Sequence, residues 1–234
     1  MSPIPHRWDL SPREAMGLQE ELAHRVEKKN RLDRVTTIAG VDASYKSGEA
    51  RAAVVVFSFP ALAAVECVTA TQPVEFPYVP GLLSFREGPV VLKALEKLTL
   101  RPDLLIFDAH GLAHPRRLGL ACHVALWVDI PAIGCAKRRL VGTYEEPEQE
   151  RCSISPLEDK SETIGAVVRT RTGVKPVFVS IGHRVDLTSS VHYVLACGKG
   201  YKLPEPTRWA DKAAGGRPPP GINPHSPDTQ KRAS

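Results

Sequence analysis

The spacing of apolar positions changes period along the chain. Near the start, Ala15, Leu18, Leu22 and Val26 recur at three- and four-residue intervals, which predicts an amphipathic helix. Ser11 as N-cap, Pro12 at the first helical position and Glu14 three residues after the cap form a capping-box pattern that marks its beginning. The period then shortens. RVTTIAGVDASYKSG, ARAAVVVFSFP and LAAVECVTATQP are rich in Val, Ile, Thr and Ala and are broken by Gly, Ser or Pro, which predicts three sequential antiparallel strands.

A short loop follows, FPYVPGLLSFRE, in which Tyr78 stands between Pro77 and Pro80 and Glu87 closes the far end. In GPVVLKALEKL, the positions of Val91, Leu92, Leu95 and Leu98 predict a helix that begins around Glu87 to Pro89. RPDLLIFDAHG is a short, wholly apolar run ending in Asp108, the signature of a buried central strand whose last residue meets solvent. HPRRLGLACHVALWVD reads as helix, IPAIGCAK and KPVFVSIG as strands, and DLTSSVHYVLAC as helix. From Gly215 the tail GGRPPPGINPHSPDTQKRAS is dominated by Pro, Gly and polar residues and is expected to be disordered, leaving 1–214 as a single domain. No internal repeat is present. The order predicts an α/β fold, a ribonuclease-H-like mixed sheet of three antiparallel strands followed by parallel strands, flanked by helices.

Composition narrows the class. With 234 residues, 42% of them hydrophobic, the chain suits one sizeable core. The net charge of +5 permits a polyanionic partner without requiring one. The excess is uneven, for between Arg101 and Gly142 stand six basic residues (Arg101, Arg116, Arg117, Lys137, Arg138, Arg139) and three acidic ones, which suggests a phosphate-facing surface there. The five cysteines are scattered and form no C-x-x-C pair, so reduced, buried thiols are expected. The N-terminal residues lack a signal-peptide layout and no run approaches the ~20 apolar residues of a membrane span. A cytoplasmic monomer is expected.

Three carboxylates carry the chemistry. Asp42 lies inside the first apolar strand, Asp108 ends the most apolar one, and Glu87 follows the stiff loop. If the first and fourth strands are neighbours, Asp42 and Asp108 project side by side with Glu87 on the adjoining helix. Clustered carboxylates repel unless a cation lies between them, and Mg²⁺ takes hard oxygen ligands of this type. Such a site hydrolyses phosphodiesters. The alternatives at this point are a turn cap at Asp108, an ion pair at Asp42 and a helix-dipole acid at Glu87. A zinc site through His110, His114 and His123 is a further alternative, which Pro115 opposes by breaking a shared helical face.

Five motifs in order resemble the endonuclease V family: GVDASY at 40–45, PYVPGLLSFREGP at 77–89, FDAHGLAHPRRLGLACH at 107–123, DIPAIGCAK at 129–137 and GYKLPEPTRWAD at 200–211. The resemblance implies a ribonuclease-H-like, Mg²⁺-dependent DNA repair enzyme, with Mn²⁺ able to substitute. It would recognise deaminated purine, chiefly hypoxanthine, and cut the second phosphodiester bond 3′ to it. It implies Asp42, Glu87 and Asp108 as the metal site, with Asp211 as a further ligand on the last helix. It also implies Lys137 at the scissile phosphate or water, and Tyr78 as a wedge held by Pro77, Pro80 and Gly81. Gly81, Leu82, Leu83 and Gly111 are candidates to approach the flipped base, and His114 and Arg116 to hold the lesion strand. Partners are DNA with deaminated bases and, as the alternative, inosine-containing RNA or branched or mismatched DNA. A binding protein with a dead site is the remaining alternative. Ala109 and Ala132 depart from the family's usual Gly and Thr, as does CHVAL from its usual pattern, and this bears on substrate preference more than on catalysis.

Overall fold

The structure is a computed structural model and describes residues 6–224. The elements run α1 (Pro12–Ala23), β1 (Thr37–Lys46), β2 (Glu49–Ser58), β3 (Ala64–Pro73), α2 (Leu83–Leu95), β4 (Leu104–Phe107), α3 (Leu120–Val128) and β5 (Ala132–Ala136). They continue with β6 (Ile154–Asp159), β7 (Glu162–Val168), β8 (Val177–His183), α4 (Leu187–Ala196) and α5 (Glu205–Ala214). One eight-stranded mixed sheet has the order β3-β2-β1-β4-β5-β8-β7-β6. The expected meander β1–β3 is antiparallel, and β4 and β5 add to it in parallel. A second antiparallel arm, β8-β7-β6, extends the far side.

Strand β2 shows why helices must cover both faces. Ala52, Val54 and Val56 pack with α2 residues such as Val90, Val91 and Ala94, whereas the alternate residues Ala53, Val55 and Phe57 pack on Ala210, Ala213 and Ala214 of α5. Helix α3 joins α2, and α4 covers β7 and β8. No helix among the described residues is long and apolar enough to cross a membrane.

Several boundaries differ from the sequence reading. Helix α1 has the predicted capping box but ends at Ala23, so Val26 is buried beyond it. Helix α2 begins at Leu83, which puts Glu87 inside the helix, not at its start, with Pro89 also within it. Residues 114–119 are not helical, because Arg117 has φ 56° and Pro115 disfavours helix before it, so α3 starts only at Leu120. Cys152 is exposed, unlike the other four cysteines. Part of the expected disordered tail is ordered: Ile222 packs against the β2, β3 and α5 cluster, while residues 225–234 lie outside the described residues.

Candidate active site

Asp42 and Asp108 meet because β1 and β4 are parallel neighbours. Val41 is in register with Phe107, and the Asp108 amide donates to the Val41 carbonyl at 3.0 Å. Helix α5 crosses close above because residue 40 is glycine, where a Cβ would lie 2.0 Å from the Pro206 backbone. That approach brings Asp211 into the group. One carboxylate oxygen from each of Asp42, Asp108 and Asp211 lies within 4.8 Å of the other two. Arg208, one turn earlier on the same helix, pairs with Glu205 and leaves Asp211 to Lys137.

Lys137, just after β5, places Nζ 2.6 Å from Asp108 Oδ2 and 2.8 Å from Asp211 Oδ1. The contact to Asp108 is short but off line, so its buried Oδ2 has no well-aligned donor among the described residues. Glu87 stands beside the three aspartates and outside their close group. Its Oε1 accepts a hydrogen bond from the Tyr45 hydroxyl at 2.9 Å.

Electrostatics mark the group as short of positive charge. Burial pushes Asp42 up to about 8, helped by the charge of Asp108 and opposed by Lys137. Burial also takes Glu87 up to about 7 against the Tyr45 hydrogen bond, and raises Asp108 against the pull of Lys137. Burial acts to lower Lys137, but its bonds to Asp108 and Asp211 outweigh this and raise it. Converging carboxylate oxygens, one of them buried without a good donor, fit a hard divalent cation.

The Tyr78 loop is held from behind. Tyr78 itself is 76% exposed. Gly81 has φ 79°, and its carbonyl accepts from Gln19 Nε2 at 3.1 Å, His114 Nε2 at 2.9 Å and Arg116 Nη2 at 2.9 Å. Gln19 is fully buried, donates also to the Leu118 carbonyl, and accepts from Arg116 Nε at 2.7 Å. His114 and Arg116, the candidates to hold the lesion strand, direct these donors at the loop and at Gln19.

Between this loop and the start of α3 lies a cavity of about 180 Å³, lined by Tyr78, Gly81, Leu82, His110, His114 and Leu140. Pro80 and Leu83 also face it. Burial takes His110 and His114 down to about 4, opposed by the Arg138 and Gly81 carbonyls respectively, so both rings are neutral at pH 7. The buried Nδ1 of His110 has no partner among the described residues. Gly111 does not line this cavity: its amide donates to Ser180 Oγ, and a Cβ there would overlap the Ile181 carbonyl. Its small size serves packing. Ala109 is buried in the core beneath α2 and α3.

The three histidines of the zinc reading do not converge. His123 is buried against Trp8 and Phe85 with Nε2 2.7 Å from His6 Nε2, while His114 serves Gly81. Four residues of this region escaped the sequence reading of the site: Gln19, Tyr45, Leu140, and His110 as a cavity wall. Gln19 had a signal, a polar residue between Leu18 and Leu22 on an apolar helix face.

A ribonuclease-H-like sheet that gathers carboxylates where its first and fourth strands meet defines a class, the ribonuclease-H-like nucleases. A family model described as endonuclease V matches residues 20–212, and the chain belongs to the endonuclease V family. It is 50% identical to endonuclease V of Roseiflexus sp. (strain RS-1) over 207 residues, 88% of this chain and 93% of the relative. The crystal structure of endonuclease V from Streptomyces avermitilis is 41% identical with a TM-score of 0.85, covering 92% of this chain and 96% of that one. Endonuclease V of Ciona intestinalis, in complex with a 24mer DNA containing an inosine followed by a ribo-adenosine, is 26% identical with a TM-score of 0.76, covering 87% and 96%. The protein is a DNA endonuclease.

Proposed function

We propose that this endonuclease repairs DNA by recognising a deaminated purine, hypoxanthine above all, and hydrolysing the second phosphodiester bond on its 3′ side in a Mg²⁺-dependent reaction. The observation that carries the reading is that cavity and carboxylates share two chain segments. Helix α2 begins at Leu83 in the cavity wall and carries Glu87 one turn on, and His110 of the wall follows Asp108 by two residues. A base held in the cavity brings its own strand to the aspartates.

Tyr78 separates the base step beside the lesion, which costs a few kcal/mol and needs a ring whose loop is already fixed. The three hydrogen bonds to the Gly81 carbonyl supply that fixity. Neutral His110 and His114, with the backbone around Gly81 and Leu82, face the edge of the extruded base. The free His110 Nδ1 is suited to a polar group there.

Asp42, Asp108 and Asp211 would hold the cation, with Glu87 beside them, and the same oxygens suit Mn²⁺. Bound there, Mg²⁺ supplies a more acidic water and compensates charge on the phosphate. Lys137 Nζ, already among the carboxylates, hydrogen-bonds the scissile phosphate or orients the attacking water.

The test is cleavage of a strand carrying one deoxyinosine, with Mg²⁺ or with EDTA, read at single-nucleotide resolution. A Mg²⁺-dependent cut one nucleotide beyond the lesion on its 3′ side is expected; no cut, or a cut indifferent to inosine, overturns the reading. The ribo-adenosine after the inosine in the Ciona complex motivates a parallel arm with inosine-containing RNA. Cleavage of RNA alone would transfer the proposal to that substrate.

A further inference from the structure

We infer that a basic groove opening off the carboxylate group is the track for the phosphodiester backbone of the substrate strand on the 3′ side of the cut. The inference rests on the nuclease reading above. The groove, about 700 Å³, is lined by Lys137, Arg138, Arg139, Tyr144 and Lys175 over Pro176 and Phe178. Lys137 belongs to both places, for its Nζ touches Asp108 and Asp211.

A run of cations is often no more than a solvated face, but these line one groove that opens at the carboxylate group. Arg117 is paired with Asp159 and Glu162, Arg184 with Asp129, and Arg208 with Glu205. Arg138, Arg139 and Lys175 form no ion pair among the described residues. The acid in the groove wall, Glu146, is already compensated by buried Arg169, whose Nη2 lies 2.9 Å from its Oε1. The groove therefore presents uncompensated positive charge at successive points, as a chain of phosphates requires and a single small anion does not.

Arg139 is also oriented. Its guanidinium carbon lies 5.6 Å from the centroid of the Tyr144 ring, and Tyr144 meets Phe178 edge-on at 5.4 Å. Stacking uses the face of a guanidinium and leaves its N–H edge for phosphate oxygens.

The direction follows from the segment 137–140. Leu140 faces the lesion cavity, while Lys137 faces the carboxylates and the groove. A strand leaving the cavity and crossing the carboxylates continues into the groove. Because the proposed cut lies 3′ to the lesion, the part beyond the scissile bond is the 3′ flank.

The test is equilibrium binding in EDTA to deoxyinosine duplexes whose 3′ flank is about 3 or about 15 nucleotides, and to a second series with the 5′ flank varied instead. The Arg139→Ala/Lys175→Ala variant is compared with the wild type. The wild type is expected to gain affinity from the long 3′ flank, and the variant to lose that gain. The slope of log K against log salt should fall by about 2, at ~0.9 per phosphate contact. On the short 3′ flank the two proteins should bind alike. An equal loss on short and long 3′ flanks, a loss that tracks the 5′ flank, or no loss would overturn the inference. Should the double variant fold poorly, Lys175→Ala alone, at an exposed position, is expected to show the same flank dependence with half the slope change. The wild type's preference for inosine over undamaged duplex tests the parent reading separately, because flank dependence is measurable on either duplex.

Discussion

The hydroxyl of Tyr45 donates to Glu87 Oε1 at 2.9 Å. The ring that carries it lies under the Arg86 guanidinium at 4.7 Å, and Arg86 Nη1 donates to the Phe76 carbonyl at the base of the Tyr78 loop. Tyr45 thus fixes a carboxylate beside the aspartates from outside. Tyr45→Phe keeps the ring and its stack and removes only the donor. The expected result is a 10- to 100-fold higher Mg²⁺ requirement or lower activity, in the range typical for groups that orient metal-binding side chains. A Mg²⁺ titration of cleavage checks it, and an unchanged titration would show that Glu87 needs no such support.

Asp42 is held where its ionised form is disfavoured by burial and by Asp108. Asp42→Asn should therefore lower cleavage on the order of 10²–10³-fold or more while raising the stability of the metal-free protein by about 0.5–2 kcal/mol. The second effect separates a functional carboxylate from a structural one. If melting of Asp42→Asn in EDTA at pH 8 occurs below that of the wild type, the aspartate is a structural ion-pair partner instead.

Tyr78 and Gln19 belong to the same loop system from opposite sides, and their variants should differ in kind. Tyr78→Ala removes an exposed ring, so stability should hold while affinity for inosine-containing DNA falls by about 1–3 kcal/mol. Gln19→Ala strips partners from Arg116 and the Leu118 carbonyl inside the protein and costs about 1–3 kcal/mol of stability. It should also weaken discrimination between inosine and undamaged DNA, because the Gly81 carbonyl loses one of three donors. Thermal melting and paired binding assays distinguish the two. Equal melting of both variants would contradict the buried role of Gln19.

These relationships also show what the sequence could and could not convey. The capping box of α1, the β1–β3 meander and the Asp42–Asp108 adjacency were legible, because local periodicity and strand order determine them. The start of α2 was not, since Leu82 at its N-cap offers no side-chain bond and Pro89 suggested a beginning where the helix is already formed. The β6–β7 hairpin was also missed. Strand β6 is an edge strand with Pro156 inside it, and Pro in a short alternating run argues against a strand. The closeness of Gln19 to Gly81 is a contact across 62 positions that no local pattern encodes. Asp211 entered the site reading only through family resemblance, and its place depends on Gly40 admitting α5 against β1.

The dependence of stability on pH offers a test of the cation site that needs no substrate. Asp42 and Glu87 are raised to about 8 and about 7 from ordinary values of 3.8 and 4.5, so the native state holds protons that the unfolded chain has released. Their contribution is fully present below about pH 4 and is lost as pH rises through 7 and 8. His110 and His114, lowered to about 4, act in the opposite sense and only below their ordinary value of 6.5. Between pH 6.5 and 9 the carboxylates therefore dominate, and the metal-free protein should melt progressively lower. Cation binding requires the ionised carboxylates, so stabilisation by Mg²⁺ should grow over the same interval. At a concentration a hundredfold above its dissociation constant the ion adds about 2.7 kcal/mol, equivalent to roughly 5–10 °C for a chain of this size. Melting curves in EDTA and in Mg²⁺ at pH 6.5 and pH 9 measure the gap. A gap that does not widen would mean that Asp42 and Glu87 do not exchange their protons for the cation.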